Sequence, residues 1–227
     1  MGGVMTYEEF DQLYRARLDK LATSNLSDAL DKLGITAAVI GIVPQWGKTK
    51  VIGRAITIRM IAAGAAQSKA HLGVDAIFSA SPGDVIVIDN RGDLNNNCWG
   101  EILSMGALKK KISGVIVDGA VRDVDTCEEF GFPVHARGTV PITARGRIVQ
   151  EAWNIPIRVG NIPVLPGDVI VADVNGVVAI PAGKLSNVLD EAEAIAAKEL
   201  AMLEALRAGQ SIIEVDQQFN YEQMLKS

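Results

Sequence analysis

Apolar residues recur at helical spacing near both ends of this chain and gather into short β-branched runs through its middle. From Thr6 to Leu21, the residues Tyr7, Phe10, Leu13, Tyr14, Leu18 and Leu21 share one helical stripe, with Thr6 as its N-cap. Thr23 to Gly34 reads as a second helix, capped by Ser24 or Asn25 and stopped by Gly34. Val51 to Ile61 alternates as a strand, and Gly53 within it marks a bulge or a close approach. Ser68 to Ser79 predicts a modest helix bearing His71 and Asp75. Then the rhythm tightens. Val85 to Asp89, opened by a Pro-Gly-Asp turn, and Val115 to Val117 are runs short and apolar enough to be buried strands. Between them lie a polar loop, Asn90 to Asn97, and a helix, Glu101 to Lys111, with Ile102, Met105 and Leu108 at helical spacing. Its three final lysines suit the negative end of a helix. Strand, helix, strand predicts a right-handed parallel βαβ unit.

Downstream, Thr126 to Phe130 gives a helical turn closed by Gly131, and Phe132 to Ala136, Ile155 to Val159, Val169 to Ala172 and Gly176 to Ile180 read as strands. The hexapeptide PGDVIV occurs twice, at Pro82 to Val87 and Pro166 to Val171. Two distant copies do not make a repeat array; they read as one kind of turn entering two strands. Leu185 to Leu206 is the longest amphipathic helix, ended by Gly209. The tail, residues 210–227, keeps Ile212, Ile213, Val215, Phe219, Tyr221 and Met224, and is expected to clasp a neighbouring subunit. With no low-complexity linker to divide it, the chain reads as a single domain over 1–227, with an N-terminal helix at 1–21.

Composition narrows the classes. A chain of 227 residues can build one substantial core, or at most two small domains. Its 48% hydrophobic and 22% charged residues are ordinary for a globular protein. A net charge of -5 argues against a non-specific nucleic-acid binder, which needs a basic face. No apolar run reaches the length of about 18 residues that a membrane span requires. The first twenty residues are charged and helical rather than signal-like, so a cytoplasmic setting with Cys98 and Cys127 reduced is expected. No zinc-ligand spacing is present.

The candidate chemistry gathers on the βαβ unit. In open α/β sheets, ligands sit outside the carboxyl ends of the strands, and here that edge holds both the start of the helix and the pair Arg122-Asp123. With the helix beginning near Gly100, the backbone N–H groups of Glu101, Ile102 and Leu103 offer an anion cradle. Arg122 adds a planar cation suited to a carboxylate. Asp123 suits a hard divalent cation whose shell water completes. Together they suggest a site for a small keto acid. Other candidates read more plainly: Asn25 and Asp28 as cap and solvated surface, His71 as structural, His135 as a buried, hydrogen-bonded histidine, and Asp173 as part of a hairpin turn. Arg137, Arg145 and Arg147, with Thr139, either line the mouth of the site or form a solvated basic loop.

An acidic residue, twenty intervening residues, then Arg-Asp describes Glu101, Arg122 and Asp123. That pattern resembles the class II pyruvate aldolases acting on 4-hydroxy-4-methyl-2-oxoglutarate and 4-carboxy-4-hydroxy-2-oxoadipate, a family that also contains RraA-like regulators of ribonuclease activity. The stretches LSDALDKLG from Leu26, VIGRAITIR from Val51, PVHARGT from Pro133 and PGDVIVADVNGVVAIP from Pro166 extend the likeness over roughly residues 20 to 207. The resemblance implies a single-domain β/β/α swivelling fold of α/β class, like the phosphohistidine domains, assembled as a homotrimer or homohexamer. It implies a divalent metal, magnesium or manganese, held by Asp123. It implies Glu101 and Arg122 as catalytic residues, and Gly100, Glu101, Ile102, Leu103 and Arg122 around a 2-oxo acid substrate. Oxaloacetate decarboxylation would accompany the aldol cleavage, because loss of carbon dioxide leaves the same pyruvate enolate. The family pattern carries Asp where this chain has Glu101, and the extra methylene moves that carboxylate by about one bond length. A ribonuclease-binding regulator without chemistry, and a hydro-lyase using the same enolate, remain the alternatives.

Overall fold

The computed structural model describes residues 6–64 and 72–220. His71 and the beginning of the helix predicted from Ser68 lie outside the described residues, as do Tyr221 and Met224. The helices are α1 (Tyr7–Phe10), α2 (Ala16–Leu18), α3 (Thr23–Lys32), α4 (Val74–Ser79), α5 (Glu101–Lys109), α6 (Val124–Glu129), α7 (Leu185–Arg207) and α8 (Ile212–Phe219). The strands are β1 (Ala38–Val39), β2 (Val43–Pro44), β3 (Val51–Ala62), β4 (Val85–Asn97), β5 (Gly114–Val121), β6 (Val134–Thr139), β7 (Ile148–Trp153), β8 (Ile157–Val159), β9 (Ile162–Val164), β10 (Val169–Asp173) and β11 (Gly176–Ile180).

β3 is the spine. Its first residues pair antiparallel with β10, Ala55 to Arg59 pair parallel with β4, and its last residues pair antiparallel with β7. The sheet therefore runs β1-β11-β10-β3-β4-β5-β6-β2, parallel through β3 to β6 and antiparallel on both flanks. Two close-packed β layers result, and the side-chain alternation shows it. On β4, Ile86 and Ile88 face the core under α4, α5 and α6, whereas Val85 and Val87 face a second core shared with Ile170 and Ala172 of β10. On β10, Val169 and Val171 turn the other way, against Leu26 and Leu30 of α3 and Val188 and Leu189 of α7. Strands buried on both faces read as unbroken apolar runs, which is why these segments carry no polar alternation. Gly53 is a close approach, as its position suggested: a Cβ there would lie 2.0 Å from the Gly83 carbonyl oxygen.

Several expectations need correction. The segment Asn90 to Asn97 is not a loop but the irregular continuation of β4, broken by left-handed Arg91 and Gly92 and by two register shifts against β5. α5 buries Leu103, Ser104 and Ala107, leaving Ile102 and Leu108 exposed, so the apolar spacing that identified the helix named the wrong face. The N-terminal helix contains one π-helical turn at Asp11–Arg15. Its cap is as expected: the Thr6 hydroxyl accepts from the Glu9 N–H while the Glu9 carboxylate accepts from the Thr6 N–H. β7 and β9 had no counterpart among the predicted strands. The two PGDVIV turns are built alike, with Asp84 accepting from Ser81 N–H and Asp168 from Leu165 N–H, each at 2.8 Å. Asp173 serves its turn by accepting from Asn175 N–H at 2.8 Å, and it also caps α3 through Thr23.

Candidate active site

β4 and β5 lie parallel, in register from Val85 to Asp89 and shifted beyond it, and their carboxyl ends reach the same edge of the sheet. β4 ends at Asn97, and α5 begins at Glu101 after three intervening residues; β5 ends at Val121 and hands directly to Arg122 and Asp123. Arg122 N–H donates to the Trp99 carbonyl at 3.1 Å, which ties the two exits together. A cavity of about 570 Å3 opens there, within the range of small-molecule sites. Gly100, Glu101, Ile102, Leu103, Arg122 and Asp123 all line it, so the fold brings together the anion cradle and the Arg-Asp pair that the sequence singled out.

The corner is tightly determined. Trp99 is buried beneath it, its indole Nε1–H donating to Ser104 Oγ at 2.8 Å, and that hydroxyl donates to the Gly100 carbonyl at 3.0 Å. Gly100 is extended, so its backbone would accept any residue, but its surroundings would not. A Cβ there would lie 2.7 Å from Asp123 Oδ2 and 3.3 Å from Arg122 Cγ. Asp123 holds a left-handed backbone, φ 55°, at the N-cap of α6. Such a conformation costs on the order of 1–2 kcal/mol for a residue other than glycine, and it aims the carboxylate back at the start of α5. Asp123 Oδ2 accepts from Arg122 Nε at 3.1 Å and, at 3.4 Å, from Glu101 N–H.

That last contact amends the anion cradle. The first helical N–H faces a protein carboxylate, which leaves those of Ile102 and Leu103 for a ligand. Asp123 Oδ1 has no hydrogen-bond partner among the described residues. The Glu101 carboxylate, half-buried in the cavity wall, makes no ion pair among them either. No group of three or more His, Cys, Asp or Glu side chains suited to a metal occurs among the described residues. The donor set is therefore one free carboxylate oxygen with open space beside it, the kind that magnesium uses while keeping most of its waters. Cys98 lines the cavity and Cys127 lies behind it against Ser104, but burial pushes both thiols up, and neither is placed as a nucleophile.

Other candidates disperse. Arg137 turns away from this cavity and pairs through Nε with Asp118, in a second depression lined also by Arg59, Asp89 and Arg158. Arg147 braces its own loop by donating to the Thr143 carbonyl at 3.3 Å, while Arg145 does line the cavity. His135 is fully buried, but neither ring nitrogen has a hydrogen-bond partner in good geometry, contrary to the expectation of a satisfied histidine. Burial lowers its pKa to about 4, with the backbone and charge of Asp173 pulling weakly the other way. The N-cap of α3 is Ala22 rather than Ser24 or Asn25; Asn25 sits in the first turn and accepts from Ala22 N–H at 3.1 Å, and Asp28 does not line the cavity. Sequence reading missed Asn97, Trp99, Ser104, Ile148 and Val149, whereas the segment around Arg145 does line the site's mouth, one of its two expected places. Trp99, sitting between a strand and a helix whose N-cap is Gly100, was the one signal available for any of the missed residues.

The comparisons agree with this architecture. A family model described as "RraA-like: Aldolase/RraA" matches residues 23–179. A protein of Halalkalibacterium halodurans named "Putative 4-hydroxy-4-methyl-2-oxoglutarate aldolase" is 37% identical over 83% of this chain and 85% of its own. Protein DlpA of Legionella pneumophila is 32% identical over 88% of this chain, which spans only 33% of that longer protein. Among solved structures, Streptomyces coelicolor RraAS2, described as an unusual member of the RNase ES inhibitor RraA protein family, superposes with a TM-score of 0.72. It is 26% identical, covering 86% of this chain and 95% of that one. The sheet order, the corner at Gly100 and Arg122-Asp123, and these likenesses converge: the chain belongs to the RraA-like aldolase/RraA family.

Proposed function

We propose that this protein is a metal-assisted carbon–carbon lyase that releases pyruvate from 2-oxo acids of the 4-hydroxy-4-methyl-2-oxoglutarate type and also decarboxylates oxaloacetate. The observation that carries the reading is the shared cavity of Arg122, Asp123 and the first turn of α5. The named relative from Halalkalibacterium halodurans supports a lyase of this class. The hard step is to accommodate negative charge as the substrate becomes the enolate of pyruvate. Arg122 faces that charge with a guanidinium that cannot deprotonate. The Ile102 and Leu103 N–H groups hold the substrate carboxylate and set its orientation. Glu101 holds a water that takes the proton of the departing hydroxyl and returns one to the enolate carbon. Asp123, with waters, would hold magnesium or manganese. When bound, such an ion supplies Lewis-acid polarisation of the keto oxygen. We include in the reading a homotrimer or homohexamer, with the apolar tail from residue 210 as part of the contact.

The test is pyruvate release from 4-hydroxy-4-methyl-2-oxoglutarate with magnesium present and after chelation. Turnover that the chelator abolishes is the expected result; no turnover, or turnover indifferent to the chelator, overturns it. The second reading, a ribonuclease regulator without chemistry, draws on the likeness to the Streptomyces protein. Tight binding to a ribonuclease by a protein with no lyase activity would establish it instead.

A further inference from the structure

Ser104 is a polar residue in a place that asks for none. It is fully buried on the inner face of α5, alongside Leu103 and Ala107. Alanine would propagate the helix better there, and a serine bonded back to the carbonyl four residues earlier tends to loosen a helix. Its hydroxyl nevertheless meets three groups. It accepts from Trp99 Nε1–H at 2.8 Å, donates to the Gly100 carbonyl at 3.0 Å, and lies 3.2 Å from Cys127 Sγ. The hydroxyl has a single proton, given to Gly100, so the thiol is the donor in the third contact.

Each of these partners leads to a different group of the cavity wall. The Gly100 carbonyl and the Glu101 N–H belong to one planar peptide unit. Ser104 holds the oxygen end of that plane, through its hydroxyl and through its own N–H at 3.1 Å. Asp123 Oδ2 accepts from the N–H end at 3.4 Å. A tilt of the plane would therefore turn the start of α5 and the Asp123 carboxylate together. Trp99 is buried, its ring stacked on Phe132 with centroids 6.2 Å apart, and its carbonyl accepts from Arg122 N–H at 3.1 Å. Cys127 stands on α6, and its N–H donates to the carbonyl of Asp123 at 3.0 Å. Cradle, guanidinium and carboxylate thus converge on one oxygen atom, whose residue is not part of the cavity lining.

We infer that Ser104 is a positioning residue: its hydroxyl fixes the α5 N–H groups, Arg122 and Asp123 relative to one another, and so sets the affinity of the cavity for a small 2-oxo carboxylate. This rests on the reading of the cavity as a pyruvate site. Without the hydroxyl, the Trp99 indole N–H is left buried with no partner, and the ring or the corner must shift to relieve it. A displacement of about 1 Å at a site of oriented groups can cost about 100-fold.

Calorimetric titration of the full chain with pyruvate, magnesium present, compares the wild type with Ser104→Ala, Ser104→Thr and Val115→Ala. Val115 is fully buried in the same apolar core, at the end of β5 away from Arg122, so its truncation lowers stability without touching the corner. Ser104→Ala should weaken pyruvate binding about tenfold, while Val115→Ala stays within about twofold of the wild type despite a comparable fall in Tm. Ser104→Thr, whose hydroxyl reaches the same carbonyl, should recover to within about threefold. Should the alanine variant not fold, Ser104→Cys, near in shape but with a weakly hydrogen-bonding thiol, should lose at least about threefold. Wild-type affinity in the alanine or cysteine variant, an equal loss in Val115→Ala, or no recovery in Ser104→Thr overturns the proposal. Pyruvate binding that the serine variants leave unaltered removes Ser104 and keeps the pyruvate reading; no pyruvate binding by the wild type overturns both.

Discussion

Two clefts of this molecule are made from the same ingredients, an arginine beside an aspartate, and are wired in opposite ways. In the second depression, Asp118 has both oxygens engaged: one by Arg137 Nε, the other by Gly160 N–H at 2.6 Å. Arg137 is itself anchored to the Ile40 carbonyl at 3.1 Å. That carboxylate is buried, satisfied and structural. At the cavity beside α5, Asp123 has one oxygen shared between Arg122 and a distant N–H, and the other open. Its backbone is strained, and the residue packed against it is a glycine, where a Cβ would collide. Strain maintained around an unsatisfied group is a mark of a working site, because nothing in folding alone rewards it. Charge pairing by itself does not separate the two clefts. Unused valence does.

The sharpest way to break this comparison is to remove the charge from each aspartate and keep its shape. Asp123→Asn should lose at least about 100-fold in turnover while its Tm stays within about 2 °C of the wild type, since asparagine tolerates a left-handed backbone and little folding energy is at stake. Steady-state kinetics alongside calorimetry would check both halves; a large fall in Tm would make Asp123 structural like its counterpart. Arg122→Lys should cost about 30-fold in kcat/KM, because an ammonium cannot span substrate and Asp123 in the plane that the guanidinium does. Full activity in that variant would remove Arg122 from the chemistry.

Asp118→Asn should do the converse. It leaves Arg137 in a largely buried place without its counter-charge, and about 2 kcal/mol of stability should be lost, allowing for the part of Arg137 that water reaches. Denaturant titration measures this, and activity per folded molecule should remain within about twofold. A pH dependence is expected away from both clefts. His135 titrates near 4 when folded and about 6.5 when unfolded, so the unfolded chain binds the extra proton between those values. Stability should therefore fall as pH drops through that window, by at most about 1.4 kcal/mol per unit, and His135→Gln should flatten that slope. An unchanged slope would mean that acid-labile carboxylate contacts dominate.

Much of the architecture was legible because buried parallel strands leave little choice of residue. The runs at Val85, Val115 and Val169 are apolar and β-branched on both faces, and they announced the β layers directly. The corner was legible for another reason: Gly100, Arg122 and Asp123 are local to strand ends, so the βαβ topology alone places them on one edge. What escaped depends on distant partners. Asn90 to Asn97 looks like a loop because its polar residues pair with β5 across two register shifts, which no local pattern encodes. Arg137 and Arg145 look alike in sequence, eight residues apart in one basic segment, and only the position of Asp118 in space commits one and leaves the other open. The face of α5 was misread because Ile102, Met105 and Leu108, at steps of three, and Leu103 with Ala107, at a step of four, both satisfy helical spacing, and only packing chooses between them.

The central question is whether this corner supports the enolate of pyruvate. Proton NMR of pyruvate in deuterated water reads this without any assumption about the rest of the substrate. The methyl protons should exchange in the presence of the wild-type protein with magnesium, cease to exchange when the ion is chelated, and exchange far more slowly with Asp123→Asn. Methyl exchange that proceeds equally in the chelated wild type and in Asp123→Asn, or none under any condition, would contradict it.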